Sequence, residues 1–184
     1  MTKNKRKTIR FLSEVNQGSS HALISTVENL LNQGENKIRL LLSSPGGSVY
    51  HGLSIYNFLK GVPIELETFN FGNIDSIALM IYCAGEKRYC SPNSRFLIHG
   101  INQNFYEKVS LEEKKLKELI QALSKDRENI SKIIAKNCNL SEEEIEQIML
   151  EGKTYNAQEA KGIGLVGKIT EKILEDGEVV VGIG

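Results

Sequence analysis

Three short stretches of the sequence hold the residue types that acyl-transfer chemistry needs. The segment Ser44–Ser48 (SPGGS) joins an apolar run to a helical pattern, and its two glycines leave backbone N–H groups free to face a ligand. Ser76 stands at a second junction of this kind, and His99 follows the apolar run at 95–98. A serine at the start of a helix, a histidine and free N–H groups fit nucleophilic catalysis with oxyanion stabilisation.

Each of these features also has a structural interpretation. A glycine pair marks a tight turn more often than a site, Ser76 has the position of a helix N-cap, and a lone histidine after a strand is commonly structural. His21 and His51 stand in or near helix starts, so His99 is the histidine placed at the carboxyl end of a strand, where sites in open α/β sheets gather. Taken one at a time, these residues leave both interpretations open.

The elements that position these residues alternate along the first half of the chain. Apolar runs predict strands at 8–12, 37–43 and 64–69, and helical periodicity predicts helices at 19–31 and 49–59. This order implies right-handed crossovers and a mostly parallel sheet covered by helices. The fold class is therefore α/β, built from repeated β-α units.

The second half of the chain continues the alternation and shows no repeat, low-complexity tract or linker. Residues 1–184 are expected to form one domain that begins with a short basic tail over residues 1–8. The predicted elements are a buried helix at 76–84, strands at 87–90 and 95–99, a long amphipathic helix within 111–137, a short helix from Ser141 to Met149, a helical unit at 154–161 and a strand at 164–169.

Composition excludes several classes of function. The 184 residues include 23 Lys and Arg against 23 Asp and Glu, so the chain lacks the positive field that nucleic-acid binding needs. No apolar run approaches the roughly 20 residues of a transmembrane helix. Cys83, Cys90 and Cys138 form no CxxC pair, which argues against a zinc site and a disulfide framework. We expect no metal or cofactor, and a reducing cytoplasm as the setting.

The order and context of these stretches resemble the proteolytic subunit of the Clp protease, ClpP, a family of serine peptidases with the ClpP/crotonase fold. The resemblance runs from about Ile9 to Ile173. Its most specific part is the PNSR-to-IH stretch that ends at His99. The matching segments are LLSSPGGSV at 41–49, GLSIY at 52–56, residues 72–85 around the serine, RYCSPNSRFLIH at 88–99, AQEA at 157–160 and GLV at 164–166.

The resemblance implies a role for each of four residues. By position, Ser76 is the nucleophile, His99 is the general base, and Gly47 and Ile77 supply the backbone N–H groups of the oxyanion hole. It further implies a homo-oligomeric ring that cleaves peptides or unfolded proteins inside a chamber. Residues 101–137 correspond to the handle, a strand and long helix that dock one ring onto another.

The chain departs from the family pattern at the third member of the triad. The family has an Asp shortly before the segment at 154–160, whereas this chain reads MLEGK at 149–153 and places Gly152 at or near that position. Three alternatives follow. Either Glu151 turns inward and orients His99, or the enzyme works as a Ser-His dyad, or its activity is weakened or lost.

Two further departures concern charge and partners. Asp75 places a negative charge beside Ser76, where the family prefers small residues, and this charge opposes an oxyanion unless it points away. Only about eight residues precede Ile9, whereas the family carries an N-terminal extension that lines the axial pore and contacts an unfoldase ATPase. An ATPase partner is therefore the weaker part of the expectation.

Three hypotheses about function follow. The first is a ClpP-like serine endopeptidase acting through an acyl-enzyme. The second is a catalytically inactive ClpP-like subunit that shapes a mixed ring, which the missing Asp and Asp75 would allow. The third is a crotonase-fold enzyme acting on an acyl-CoA thioester through the same pair of N–H groups. That chemistry does not need Ser76 and His99, so the third hypothesis is disfavoured.

Overall fold

The computed structural model describes residues 6–102 and 110–183. The strands in this part of the chain are β1 (Lys7–Leu12), β2 (Lys37–Ser44), β3 (Glu65–Asp75), β4 (Lys87–Cys90), β5 (Arg95–Ile98), β6 (Lys153–Asn156), β7 (Lys168–Ile169) and β8 (Val180–Ile183). The helices are α1 (Gln17–Asn32), α2 (Val49–Gly61), α3 (Ala78–Cys83), α4 (Glu113–Ala135), α5 (Glu142–Glu151) and α6 (Ala157–Gly162).

These strands form a single sheet that is mostly parallel. Its order is β6-β5-β3-β2-β1-β8, and β4 lies off this path between β3 and β7. Among the described residues, only the pairing of β5 with β6 is antiparallel. The predicted α/β class with a mostly parallel sheet is therefore confirmed.

Strand β3 is longer than the run at 64–69 predicted. Its first half pairs with β4 through residues 67–70, and its end pairs with β5 through Asn73–Asp75. The second half mixes polar residues with apolar ones, so its strand character comes from this pairing rather than from the local pattern. The consequence for the site is that β3 runs directly into the turn at Ser76.

Helix α3 is buried at every position, as its nearly all-apolar sequence predicts. Tyr82 in this helix packs edge-to-face on Phe96 of β5, with 5.2 Å between the ring centroids, and its hydroxyl donates to the Tyr89 carbonyl. The aromatic contact and the hydrogen bond join α3 to two strands. The helix that follows Ser76 is therefore held rigidly against the sheet.

Residues 154–161 do not form the single helical unit predicted for them. Residues 153–156 form β6, antiparallel to β5, and the helix begins only at Ala157. The Asn156 side chain caps α6 by accepting hydrogen bonds from the N–H groups of Gln158 and Glu159. The cap is local, but the strand before it exists because β5 offers an unpaired edge, which a local pattern does not reveal.

The long amphipathic helix predicted within 111–137 is present as α4, whose inner end buries Ile130 and Ile134. Leu116 and Ile120, at its outer end, are exposed. Residues 103–109 of the predicted handle lie outside the described part of the chain. No helix of the described residues combines the length and apolarity needed to cross a bilayer.

Strand β8 extends the sheet beyond β1, an element that the sequence analysis did not predict. Glu178, just before it, has a side chain only 3% exposed and accepts hydrogen bonds from Arg6 Nε at 3.0 Å and from Thr8 Oγ1. Burial opposes ionisation of this carboxyl, but hydrogen bonds from Arg6, the Glu175 backbone and Thr8 outweigh it and lower the pKa of Glu178 from 4.5 to about 2. The ionised Glu178 therefore clamps β8 to β1.

We predict that Glu178→Gln lowers the melting temperature at neutral pH, because the variant loses a carboxylate that is bound more tightly in the folded state. The folded pKa is depressed, so the stabilisation is present above pH 4.5 and is lost as the pH falls through about 2. Melting curves of both proteins between pH 7 and pH 2 should therefore converge at the acid end. Glu171→Gln, an exposed position in the same segment, is the control. A difference in melting temperature between the two proteins that does not change with pH would contradict this role of Glu178.

Candidate active site

Ser76 lies in a sharp turn between β3 and α3. Its φ is +57°, and among the described residues it is the only non-glycine with a positive φ. Its backbone N–H donates to the Leu97 carbonyl at 2.9 Å, which ties the turn to β5. A left-handed conformation is unfavourable for a residue with a side chain and persists only where the surroundings impose it, as often occurs at functional sites.

The turn Ser44–Ser48 packs directly on this serine turn. A Cβ placed on Gly46, whose φ is +91°, would lie 2.8 Å from Ser76 Cβ and 2.8 Å from the Asp75 carbonyl oxygen. Only a residue without a side chain permits this approach. The contact brings the backbone of the glycine turn beside the N-terminal end of α3.

Two backbone hydrogen bonds orient the glycine turn. The Val15 N–H donates to the Gly46 carbonyl at 2.7 Å, and the Ser48 N–H donates to the Val15 carbonyl at 2.8 Å. Residues on either side of Gly47 are thus held, while the Gly47 N–H makes no hydrogen bond to any described residue, and neither does the Ile77 N–H. Both groups are free to donate to a ligand.

Ser76, His99, Gly47 and Ile77 line one cleft of about 230 Å³. His99 reaches it because β5 is parallel to β3, with Leu97 paired to Asp75, so that the two strands end side by side. The structure therefore brings together four of the five residues that the sequence singled out. The cleft also has an apolar wall formed by Leu79, Ile98, Ile101, Ile130, Ile134 and Met149.

The apolar wall includes residues that sequence reasoning did not assign to the site. Ile130 and Ile134 come from α4 and Met149 comes from α5, far along the chain from Ser76. Their only signal in the sequence is helical apolar periodicity. This periodicity indicates that a helix face is buried but not which residues it packs against.

Glu151, the fifth residue, lies elsewhere. Its side chain is exposed, accepts a hydrogen bond from Gln147 Nε2, and is not among the described residues that line the cleft. Its neighbour Gly152 is the residue beside the histidine, since a Cβ built on Gly152 would lie 3.8 Å from His99 Cβ. The position that the resemblance gives to the triad Asp therefore adjoins His99 but carries no side chain.

Asp75 is held by hydrogen bonds from two neighbouring side chains. It is buried, and its Oδ2 accepts hydrogen bonds from Arg95 Nη2 at 2.9 Å and from Asn73 Nδ2 at 2.8 Å. Asp75 is not among the cleft-lining residues of the described chain. Its charge is thus paired with a guanidinium.

Comparisons with known proteins identify the family of this chain. The family model described as Clp protease matches residues 2–173. The chain belongs to the Clp protease family. It is 30% identical over 173 residues to the ATP-dependent Clp protease proteolytic subunit 3 of Rhizobium meliloti (strain 1021), covering 93% of this chain and 87% of that protein.

The fold also matches a solved structure of the same family. A mutant ClpP1 from Listeria monocytogenes superposes with a TM-score of 0.80 at 26% identity, covering 91% of this chain and 92% of the other. The predicted resemblance to ClpP and the predicted fold are therefore confirmed, and the chain is a ClpP-like protein of the serine peptidase class. The match to the Clp protease model ends at residue 173, before β8 begins.

We predict that Gly46→Ala displaces the serine turn of this Clp protease and strongly lowers labelling of the chain by a fluorophosphonate probe. The added methyl would lie 2.8 Å from Ser76 Cβ and 2.8 Å from the Asp75 carbonyl oxygen, so the turn that carries both atoms must shift. Loss of stability should exceed the roughly 1–2 kcal/mol of left-handed strain by itself. Urea denaturation and probe labelling measure the two effects.

Gly34→Ala is the matched control for this variant. Gly34 also has a positive φ, of +78°, but a Cβ there would meet nothing within 4 Å. It should show the strain alone and label normally. Equal behaviour of the two variants would mean that the contact with Ser76 does not matter.

Proposed function

We propose that this Clp protease hydrolyses peptide bonds through an acyl-enzyme formed on Ser76. The observation that carries the proposal is the meeting of Ser76, His99, Gly47 and Ile77 in one cleft, with the N–H groups of the last two bonded to no described residue. Ser76 Oγ attacks the scissile carbonyl carbon while His99 takes the hydroxyl proton. His99 then gives this proton to the leaving amine, and water completes the cycle by attacking the ester.

The oxyanion of each tetrahedral intermediate is assigned to the N–H groups of Gly47 and Ile77. Donors that are already in place when charge develops stabilise the transition state without reorganisation. Gly46 supports this role, because its contact with Ser76 keeps the two turns together. The strained φ of Ser76 holds its side chain at the head of α3.

We propose a Ser76–His99 dyad rather than a triad with Glu151. The Glu151 carboxylate is exposed and engaged by Gln147, whereas the residue next to His99 is Gly152. An imidazole without an orienting carboxylate still acts as a base, but more slowly, since loss of that partner lowers the rate by about 10⁴-fold in a serine protease. Turnover is expected to be slow for the same reason.

The cleft favours an extended peptide with an apolar side chain next to the scissile bond. Its wall on the α4 and α5 side consists of Ile130, Ile134 and Met149. Burying an apolar side chain there is favourable by roughly 25 cal/mol per Å². Peptides and unfolded proteins are the substrate class that we propose.

We predict that Ser76→Ala and His99→Ala each abolish fluorophosphonate labelling and lower kcat on a fluorogenic peptide by about 10⁴-fold or more, because nucleophile and base act as one unit. Both variants should keep their fold, since a serine at a helix start contributes at most about 0.5–2 kcal/mol. Melting curves test this second point.

Glu151→Gln serves as the control for these two variants. Its kcat and labelling should match those of the unaltered protein, since the residue is exposed. A fall in kcat of two to four orders of magnitude in Glu151→Gln would restore Glu151 as the third member of a triad. Absence of labelling in the unaltered protein would instead support the alternative function, an inactive structural subunit of a mixed ring. The observation that favours this alternative is that Gly152, beside His99, has no side chain to orient the imidazole.

Members of the Clp protease family form homo-oligomeric rings and work with ATPase partners. We propose a homo-oligomeric ring for this chain, with the exposed apolar end of α4 at a contact between copies. Ile120 there is 63% exposed, and Leu116 is also exposed.

An unfoldase ATPase remains the candidate partner. The three cysteines are free, which fits the reducing cytoplasm.

We predict that light scattering at micromolar concentration gives a mass several times the 20.6 kDa of one chain. Ile120→Glu should lower this mass, because a charge at a buried contact is unfavourable. Gln121→Glu adds the same charge at the next position of the helix and should leave the mass unchanged. A monomeric mass for the unaltered protein would contradict the ring.

A further inference from the structure

A polar network lies beside Ser76 on residues that the proposed reaction does not use. Asp75 is 6% exposed, and its Oδ2 accepts hydrogen bonds from Arg95 at 2.9 Å and from Asn73 at 2.8 Å. Its Oδ1 is buried and has no hydrogen-bond partner. A buried carboxylate keeps its charge only where other groups compensate it. Arg95 supplies the only positive charge paired with Asp75 in the described chain.

The network joins the three strands whose ends form the cleft. Asn73 Nδ2 donates to the Ser44 carbonyl at 3.3 Å, and Asn73 Oδ1 accepts from Ser43 Oγ at 3.2 Å, which links β3 to β2. Arg95 begins β5 and bonds to Asp75, which links β3 to β5. The glycine turn, the serine and the histidine each follow one of these strands directly.

The sign of the Asp75 charge gives the network a second effect. The reaction creates a negative oxygen beside Ser76, and a carboxylate on the preceding residue repels it. The Arg95 guanidinium cancels this repulsion by pairing with the carboxylate at 2.9 Å. Without Arg95, a buried negative charge would remain one residue away from the nucleophile.

We propose that Arg95 is a positioning residue for the reaction at Ser76. By pairing with Asp75, it neutralises the carboxylate beside the nucleophile and holds the strand that leads to Ser76 against the strand that leads to His99. This inference rests on the proposed peptidase function. Arg95 acts through Asp75 and does not line the cleft formed by the described residues.

The pair is placed to influence the reaction more than the stability. The Arg95 side chain is 55% exposed, and ion pairs with an exposed partner contribute little net stability because solvent screens them. The Asp75 carboxylate, by contrast, is buried and adjoins the reacting serine, so its effect on developing charge is screened much less. A pair with only a structural role would affect the stability of the fold and leave the reaction unchanged.

The test compares Arg95→Gln with the double variant Asp75→Asn/Arg95→Gln. Measurements are kcat and KM on a fluorogenic peptide, the rate of fluorophosphonate labelling, and the melting temperature. We expect Arg95→Gln to lower kcat and the labelling rate by about tenfold with KM unchanged. The double variant should recover most of this loss because it removes both charges, and Arg95→Lys should retain most activity because it keeps the positive charge.

Lys37→Gln is the control, because Lys37 also pairs with an acidic residue across two strands, but its partner Glu65 is exposed and neither residue lines the cleft of the described chain. It should leave kcat and labelling unchanged. An equal loss in Arg95→Gln and the double variant, or a change in melting temperature alone, would overturn the role of Arg95. Unaltered protein that fails to label would overturn the peptidase function itself, so the two failures are distinguishable.

Discussion

The close packing of Gly46 on the Ser76 turn is the contact on which the rest of the site depends. Two strand-to-helix turns, separated by 30 positions in the chain, meet with no side chain between them. That approach brings Gly47 and Ile77 to one cleft, beside Ser76 with its left-handed φ. The Ser76 N–H bonds to the Leu97 carbonyl, and Gly46 packs against the same turn. These contacts hold Ser76 in its strained backbone conformation.

Strand β3 carries this contact into the body of the sheet. It pairs with β2 on one side and with β4 and then β5 on the other. The strands that lead to the glycine turn and to His99 therefore both adjoin β3, which itself leads to Ser76. Helix α3 extends the arrangement inward, since all its residues are buried. Close-packed elements of this kind do not deform gradually, and the site is therefore set by the register of a few pairings.

No carboxylate of the described residues lines the cleft. Asp75 is the acidic residue next to Ser76; it does not line the cleft of the described residues and is paired with Arg95. The residue beside His99 is Gly152, which has no side chain to charge. Among the described residues, Ser76, His99, Gly47 and Ile77 thus line the cleft while Asp75 and Glu151 do not, which is the physical basis for proposing a slow dyad.

The features that depend on local chemistry were predictable from the residues alone. Alternating apolar runs predicted most strands and helices, the Ser141 segment predicted the start of α5, and the motifs around Ser76 and His99 indicated the family. Contacts between residues distant in the chain were not predictable in this way. Strand β6, strand β8, the apolar wall from α4 and α5, and the pairing of Arg95 with Asp75 all depend on strand register and helix packing. These are non-local interactions, and a local residue pattern indicates that a side chain is buried or charged but not which partner it will contact.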